Sequence, residues 1–126
     1  KKLYLRVGDL MQSQKPQVNL SSSLQDVIIE ISSKRLGATV VLDGNIISGL
    51  ITDGDLRRML EKSADINNLI ASDIMTENPK CISKNALAAE ALGVMEVNHI
   101  SQLVIDDEGT YLGIIHLHDI LKEGIL

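Results

Sequence analysis

The chain repeats itself at an interval of 64 residues. Gly49-Leu50-Ile51-Thr52-Asp53-Gly54-Asp55 returns as Gly113-Ile114-Ile115-His116-Leu117-His118-Asp119. In each copy an apolar strand runs into a helix with an acid early in it. Asp9-Leu10-Met11 returns as Asp73-Ile74-Met75, and Val40-Val41-Leu42-Asp43 as Val104-Ile105-Asp106-Asp107. A repeat of about 60 residues is too short to bury a good core alone, so the copies are expected to pack on each other about a pseudo-twofold axis. Like halves meeting in this way leave clefts between them, and a ligand is expected there.

The cores have to be built from Ile, Leu, Val, Ala and Met, because the chain has no Trp, no Phe and only Tyr4 and Tyr111 as aromatics. A net charge of −5, from 12 basic and 17 acidic residues with no block of one sign, argues against a nucleic-acid binder. No apolar run approaches the roughly 18 residues of a membrane span. Residues 1–7 are charged and too short for a signal peptide. A single Cys81 excludes an internal disulfide and suits a reducing cytoplasm. Its place beside Ile82 in a short strand predicts a buried, inert thiol. The start at Lys1 without a Met is read as the mark of a fragment of a longer protein.

The same order of elements is expected in each half: strand, helix, strand, strand, helix. The fold class is therefore α+β, with halves at 1–66 and 67–126 and one small sheet in each. In the first half, a helical turn at 9–11 precedes Pro16 and an extended piece at 17–19. Ser23 reads as an N-cap with Asp26 three residues on, ahead of a stripe of Leu24, Val27, Ile28 and Ile31. Lys34, Arg35 and then Gly37 mark its C-terminus. Residues 39–42 read as a buried strand, and Asp43-Gly44 as a tight turn into a second strand at 46–51. Thr52 then opens a helix carrying Leu56, Met59 and Leu60. The second half repeats this with a turn at 72–75, Pro79, a short strand, and a helix with Leu87, Ala91, Leu92 and Met95. Strands at 102–105 and 111–115 and a last helix from His116 follow. The connection 61–71 has neither Gly nor Pro and carries Ile66, Leu69 and Ile70, so it is expected to be packed.

Thr52 and Asp55 fall at i and i+3 in the first turn of a helix. One reading is a capping box, each side chain satisfying a free backbone N–H. The other is a ligand site, where free N–H groups and the helix field attract a phosphate and the carboxylate accepts the two hydroxyls of a ribose. In the second copy Asp119 persists while His116, a poor cap, replaces Thr52, which favours the ligand. His116, His118 and Asp119 also admit a metal reading, since His-x-His plus an acid supplies three ligands. No further His or Cys is near in sequence, and phosphate contact or plain exposure is preferred. Arg35 and His99 are equivalent under the 64-residue shift, each at the end of a long helix, where the helix dipole accounts for them. Arg57 and Arg58 follow Asp55, with Lys122 matching Arg58. They are a solvated face or a contact to phosphate. No nucleophile elbow, Walker glycine pattern or useful pair of acids is present, so no catalytic residue is assigned.

Gly49-x-x-Thr52-x-x-Asp55 resembles the ligand motif of tandem cystathionine-β-synthase-type (CBS) domains, the Bateman module, and the resemblance covers the whole chain. Leu36-Gly37-Ala38-Thr39-Val40-Val41, Thr52-Asp53-Gly54-Asp55-Leu56-Arg57-Arg58 and His116-Leu117-His118-Asp119-Ile120-Leu121 are more specifically similar to the C-terminal region of bacterial D-arabinose 5-phosphate isomerases, the sugar isomerase/CBS family. Lys2-Leu3-Tyr4-Leu5-Arg6-Val7 resembles the segment joining the isomerase domain to the CBS pair. The resemblance implies a parent enzyme that interconverts D-ribulose 5-phosphate and D-arabinose 5-phosphate in the supply of Kdo for lipopolysaccharide or capsule. Catalysis would lie in a separate sugar isomerase domain.

For this chain the resemblance implies a regulatory binding module without cofactor or metal, paired as a homodimer within a tetrameric parent. Its ligand is a nucleotide or nucleotide sugar such as CMP-Kdo. The implied contacts are Thr52, Asp55 and Arg58 in the first motif, and His116, His118 and Asp119 with His99 in the second. The alternatives are an adenine-nucleotide sensor, a purely structural oligomerisation module, or an independent metal hydrolase built on His116, His118 and Asp119.

Overall fold

A computed structural model of the chain describes residues 4–62 and 65–124. The elements are α1 (Val7–Leu10), β1 (Gln17–Asn19), α2 (Leu24–Lys34), β2 (Ala38–Asp43), β3 (Ile46–Thr52) and α3 (Asp53–Lys62), then a 3-10 turn at Ile66–Asn68. After it come α4 (Ala71–Ile74), β4 (Thr76–Glu77), β5 (Cys81–Ser83), α5 (Ala88–Asn98), β6 (Gln102–Asp107), β7 (Thr110–His116) and α6 (Leu117–Leu121). The chain forms two compact units, Pro16–Pro79 and Lys1–Lys15 with Lys80–Leu126. The fold is α+β with one sheet in each unit.

In the Pro16–Pro79 unit the sheet order is β1-β2-β3-β4, with β1 parallel to β2 and the other pairs antiparallel. Leu24, Val27 and Ile31 of α2 and Leu56 of α3 close over Val41 and Ile51. Ser23 caps α2 as its spacing predicts, its Oγ accepting from the Asp26 N–H at 3.1 Å. Ile28 departs from the predicted stripe and is 38% exposed. Three turns of helix need only Leu24, Val27 and Ile31 to cover this small sheet, and Ile28 falls at the edge of that face. The helix also ends sooner than Gly37, with Arg35 in the left-handed conformation (φ 61°) as its C-cap.

In the other unit the sheet order is β5-β6-β7. Ala88, Ala91 and Met95 of α5 and Ile120 of α6 pack with Leu103, Ile105 and Ile115. The internal repeat is reproduced in detail. Ala38 pairs with Thr52 and Gln102 with His116, and the bulge at Val41/Leu42 recurs at Ile105/Asp106.

The packing units do not coincide with the repeats. The first repeat's α1 docks in the unit built from the second, where the Val7 N–H donates to Ala86 O and the Gly8 N–H to Lys84 O, both at 2.8 Å. The second repeat's α4 docks reciprocally, with the Ala71 N–H on Ser22 O and the Ser72 N–H on Leu20 O. Each short helix is too small to be stable alone and is fixed by these bonds. In the 61–71 connection, Ser63 and Ala64 lie outside the described residues, and Ile66 packs against the core of the Pro16–Pro79 unit. Lys1–Leu3 of the joining segment also lie outside them.

Cys81 is exposed on edge strand β5, not buried as its neighbour Ile82 is. Alternation along a strand places adjacent residues on opposite faces. Its thiol pKa is nonetheless raised, first by desolvation and then by the charge of Asp106, which disfavours the thiolate.

Candidate functional site

The first motif is organised by the step from β3 into α3. β3 is held between β2 and β4, so Thr52 arrives at a fixed position at the helix start. The Thr52 N–H donates to Asp55 Oδ2 at 2.9 Å, and the Asp55 N–H donates to Thr52 Oγ1 at 3.1 Å. This is the reciprocal capping pair. It fixes one carboxylate oxygen and leaves the other, Oδ1, to Arg58 Nη2 at 2.6 Å. The Arg58 side chain is 62% exposed and that of Asp55 15%. An ion pair with such an exposed guanidinium is worth little and opens easily. Gly54 matters for the same corner: a Cβ there would lie 3.3 Å from Arg58 Nη1 and 3.6 Å from Thr52 Oγ1.

The second motif keeps the backbone plan with different chemistry. The His116 N–H donates to Asp119 Oδ2 at 2.9 Å, matching the Thr52–Asp55 bond. His116 does cap, contrary to the expectation from its residue type, because Nδ1 accepts from the His118 N–H at 2.9 Å. The imidazole nitrogen reaches a nearer amide than a hydroxyl does. The inference from a lost cap to a ligand therefore loses its support. Asp119 is buried, and its Oδ1 accepts from Gln12 Nε2 at 2.6 Å across 107 residues of sequence. Sequence reasoning missed Gln12, since no local pattern links it to Asp119 and its repeat equivalent, Thr76, carries no amide.

The other predicted residues stand apart from these acids. His118 is exposed at the start of α6. His99 is the left-handed C-cap of α5 (φ 54°), as Arg35 is of α2, and both serve helix termination. Among the described residues no three His, Cys, Asp or Glu side chains gather in a metal-binding group. Nor is any described helix long and apolar enough to cross a membrane.

The CBS domain profile matches residues 7–62 and 71–125. The arabinose 5-phosphate isomerase KdsD of Yersinia pestis is 40% identical over the whole of this chain, which covers 39% of that protein. The chain thus spans about two fifths of the length of such curated relatives. An uncharacterized conserved protein from Pyrococcus horikoshii has the same fold, with a TM-score of 0.86 at 24% identity, over 98% of this chain and 95% of that one. The CBS domain protein PAE2072 from Pyrobaculum aerophilum, solved in complex with AMP, aligns with a TM-score of 0.84 at 18% identity, over 94% and 97% of the two chains. With the profile matched over both repeats, the chain belongs to the CBS-domain family, as a tandem pair of such domains.

Proposed function

We propose that this chain is the regulatory ligand-binding part of a D-arabinose 5-phosphate isomerase, acting in the cytoplasm in the supply of Kdo. The interconversion of D-arabinose 5-phosphate and D-ribulose 5-phosphate is then carried out by a sugar isomerase domain elsewhere in the parent protein. Identity of 40% to KdsD over every residue of the chain supports the parent assignment. The modules associate as a homodimer within a tetrameric parent.

The ligand is a nucleotide or a nucleotide sugar, CMP-Kdo being the activated product whose level such an enzyme would sense. The observation that carries this reading is the carboxylate of Asp55. One oxygen is fixed by the Thr52 N–H, while the other is covered only by an exposed guanidinium. A ribose diol donates two hydrogen bonds to such a carboxylate, and the released Arg58 is free to meet the phosphate beside the start of α3. The capping bonds pre-position the acid, so binding costs little ordering. The adenine-nucleotide reading has its own support in the AMP complex of the Pyrobaculum aerophilum relative. Both ligand classes share the ribose phosphate that Asp55 and Arg58 would hold.

The test is calorimetric titration with AMP, CMP and CMP-Kdo of the native chain and of Asp55→Asn. Loss of a hydrogen-bonded charge is expected to weaken binding roughly tenfold to a hundredfold. Equal affinity of native and Asp55→Asn for each ligand that binds would leave Asp55 as a helix cap only.

A further inference from the structure

We propose that the second acidic motif is a fastening and not a ligand position: Asp119 holds Gln12, and through it the segment 5–15, to the unit built from the second repeat. The clause that follows rests on the reading of the first motif given above: Asp55 is then the one acid of the pair open to a nucleotide.

The argument starts from a difference between two otherwise matched docking schemes. α1 and α4 are bound alike, by the Val7 and Gly8 N–H groups in one unit and the Ala71 and Ser72 N–H groups in the other. Beyond α4 the chain continues as β4, where Thr76 pairs with Leu50 and Glu77 with Gly49. Beyond α1 there is no such strand, and the sheet of that unit stops at three. Gln12 occupies the position equivalent to Thr76. Where Thr76 is held by backbone pairing, Gln12 is held by its side chain, through the 2.6 Å bond to Asp119 Oδ1. The carboxamide thus replaces the missing fourth strand.

The same bond changes what Asp119 is able to do. Its Oδ2 accepts from His116 and its Oδ1 from Gln12, and the residue is 3% exposed. Asp55 differs on each count, since Oδ1 meets only Arg58 of its own helix and the acid is not fully buried. At the position of Gly54, which leaves room beside Thr52 and Arg58, the second motif carries the side chain of His118. A ligand at Asp119 would have to break a buried charge-assisted hydrogen bond before making its own. Lys15, with Nζ 5.2 Å from the ring centre of Tyr111, and Met11, alongside Gly113, extend the attachment on both sides of Gln12.

The experiment is amide hydrogen exchange on the native chain and on Gln12→Ala, combined with AMP titration of both. Exchange at Val7 and Gly8 is expected to rise roughly tenfold in Gln12→Ala, while Ala71 and Ser72, the matched amides of the other unit, stay unchanged. AMP is expected to bind once per chain with the same affinity in both proteins. Unchanged exchange at Val7 and Gly8 overturns the fastening. Two AMP molecules per native chain, or a change in AMP affinity on removing Gln12, overturns the single-site clause. Absence of any nucleotide binding removes that clause together with the reading of the first motif, and the exchange result still decides the fastening.

Discussion

Gly49 faces the side chain of Met75 so closely that a methyl group has no room. A Cβ there would fall 2.8 Å from the Met75 Cβ and 2.5 Å from its sulfur. The sulfur could swing away, but the Cβ cannot move without the backbone of α4's C-cap. Gly49→Ala is therefore expected to cost roughly 1–3 kcal/mol, the range for overpacking a filled site, read as a lower urea midpoint with an unchanged slope. Local residue pairs of this kind differ in how far the sequence reveals them. Thr52 and Asp55 are three positions apart, so helix geometry alone predicts their contact, and Arg58 follows by one further turn. His116 was misjudged because its capping amide is that of His118 and not the one a hydroxyl would reach. Gln12 meets Asp119 only through the docking of α1, a tertiary event that no spacing in the sequence encodes.

At the scale of elements, the 64-residue shift carries most of the structure. It maps α2 onto α5, β2 and β3 onto β6 and β7, and even one bulge onto the other. Hydrophobic periodicity and the Ser23 cap were enough to find these. β4 was not foreseen, since a two-residue strand has no pattern of its own and exists because the β3 edge offers it hydrogen bonds. The 3-10 turn at Ile66–Asn68 likewise follows from the packing of Ile66, not from propensity. The long helices also keep apolar groups in water, with Ile29 55% exposed on α2 and Val97 78% exposed on α5. With the proposed homodimer these faces supply its contact. Light scattering at high micromolar concentration is expected to give the mass of two chains, and Ile29→Glu with Val97→Glu to lower it to one. A strictly monomeric native mass would contradict the pairing.

At the scale of the molecule, both repeats were legible, but their packing was not. Reading the sequence alone divides the chain at 66/67, whereas packing gathers Pro16–Pro79 into one unit and the remainder into the other. The physical reason is that a two-turn or shorter helix gains more from a neighbouring repeat's backbone groups than from its own. The parent activity is expected to be absent from this chain, which offers no acid–base pair suited to aldose–ketose proton transfer. Measurable turnover of D-arabinose 5-phosphate by the purified 126-residue protein would contradict that. The central claim is that Asp55 holds a nucleotide. It is tested most directly by ligand-induced stabilisation in native and Asp55→Asn protein, with AMP, CMP and CMP-Kdo. Binding raises the melting temperature of a native state in proportion to the logarithm of ligand over Kd. The account predicts a rise for at least one ligand in the native protein and its loss in Asp55→Asn, with the melting temperatures of the two free proteins close. An equal rise in both proteins, or a large fall in the free mutant with binding intact, would contradict it.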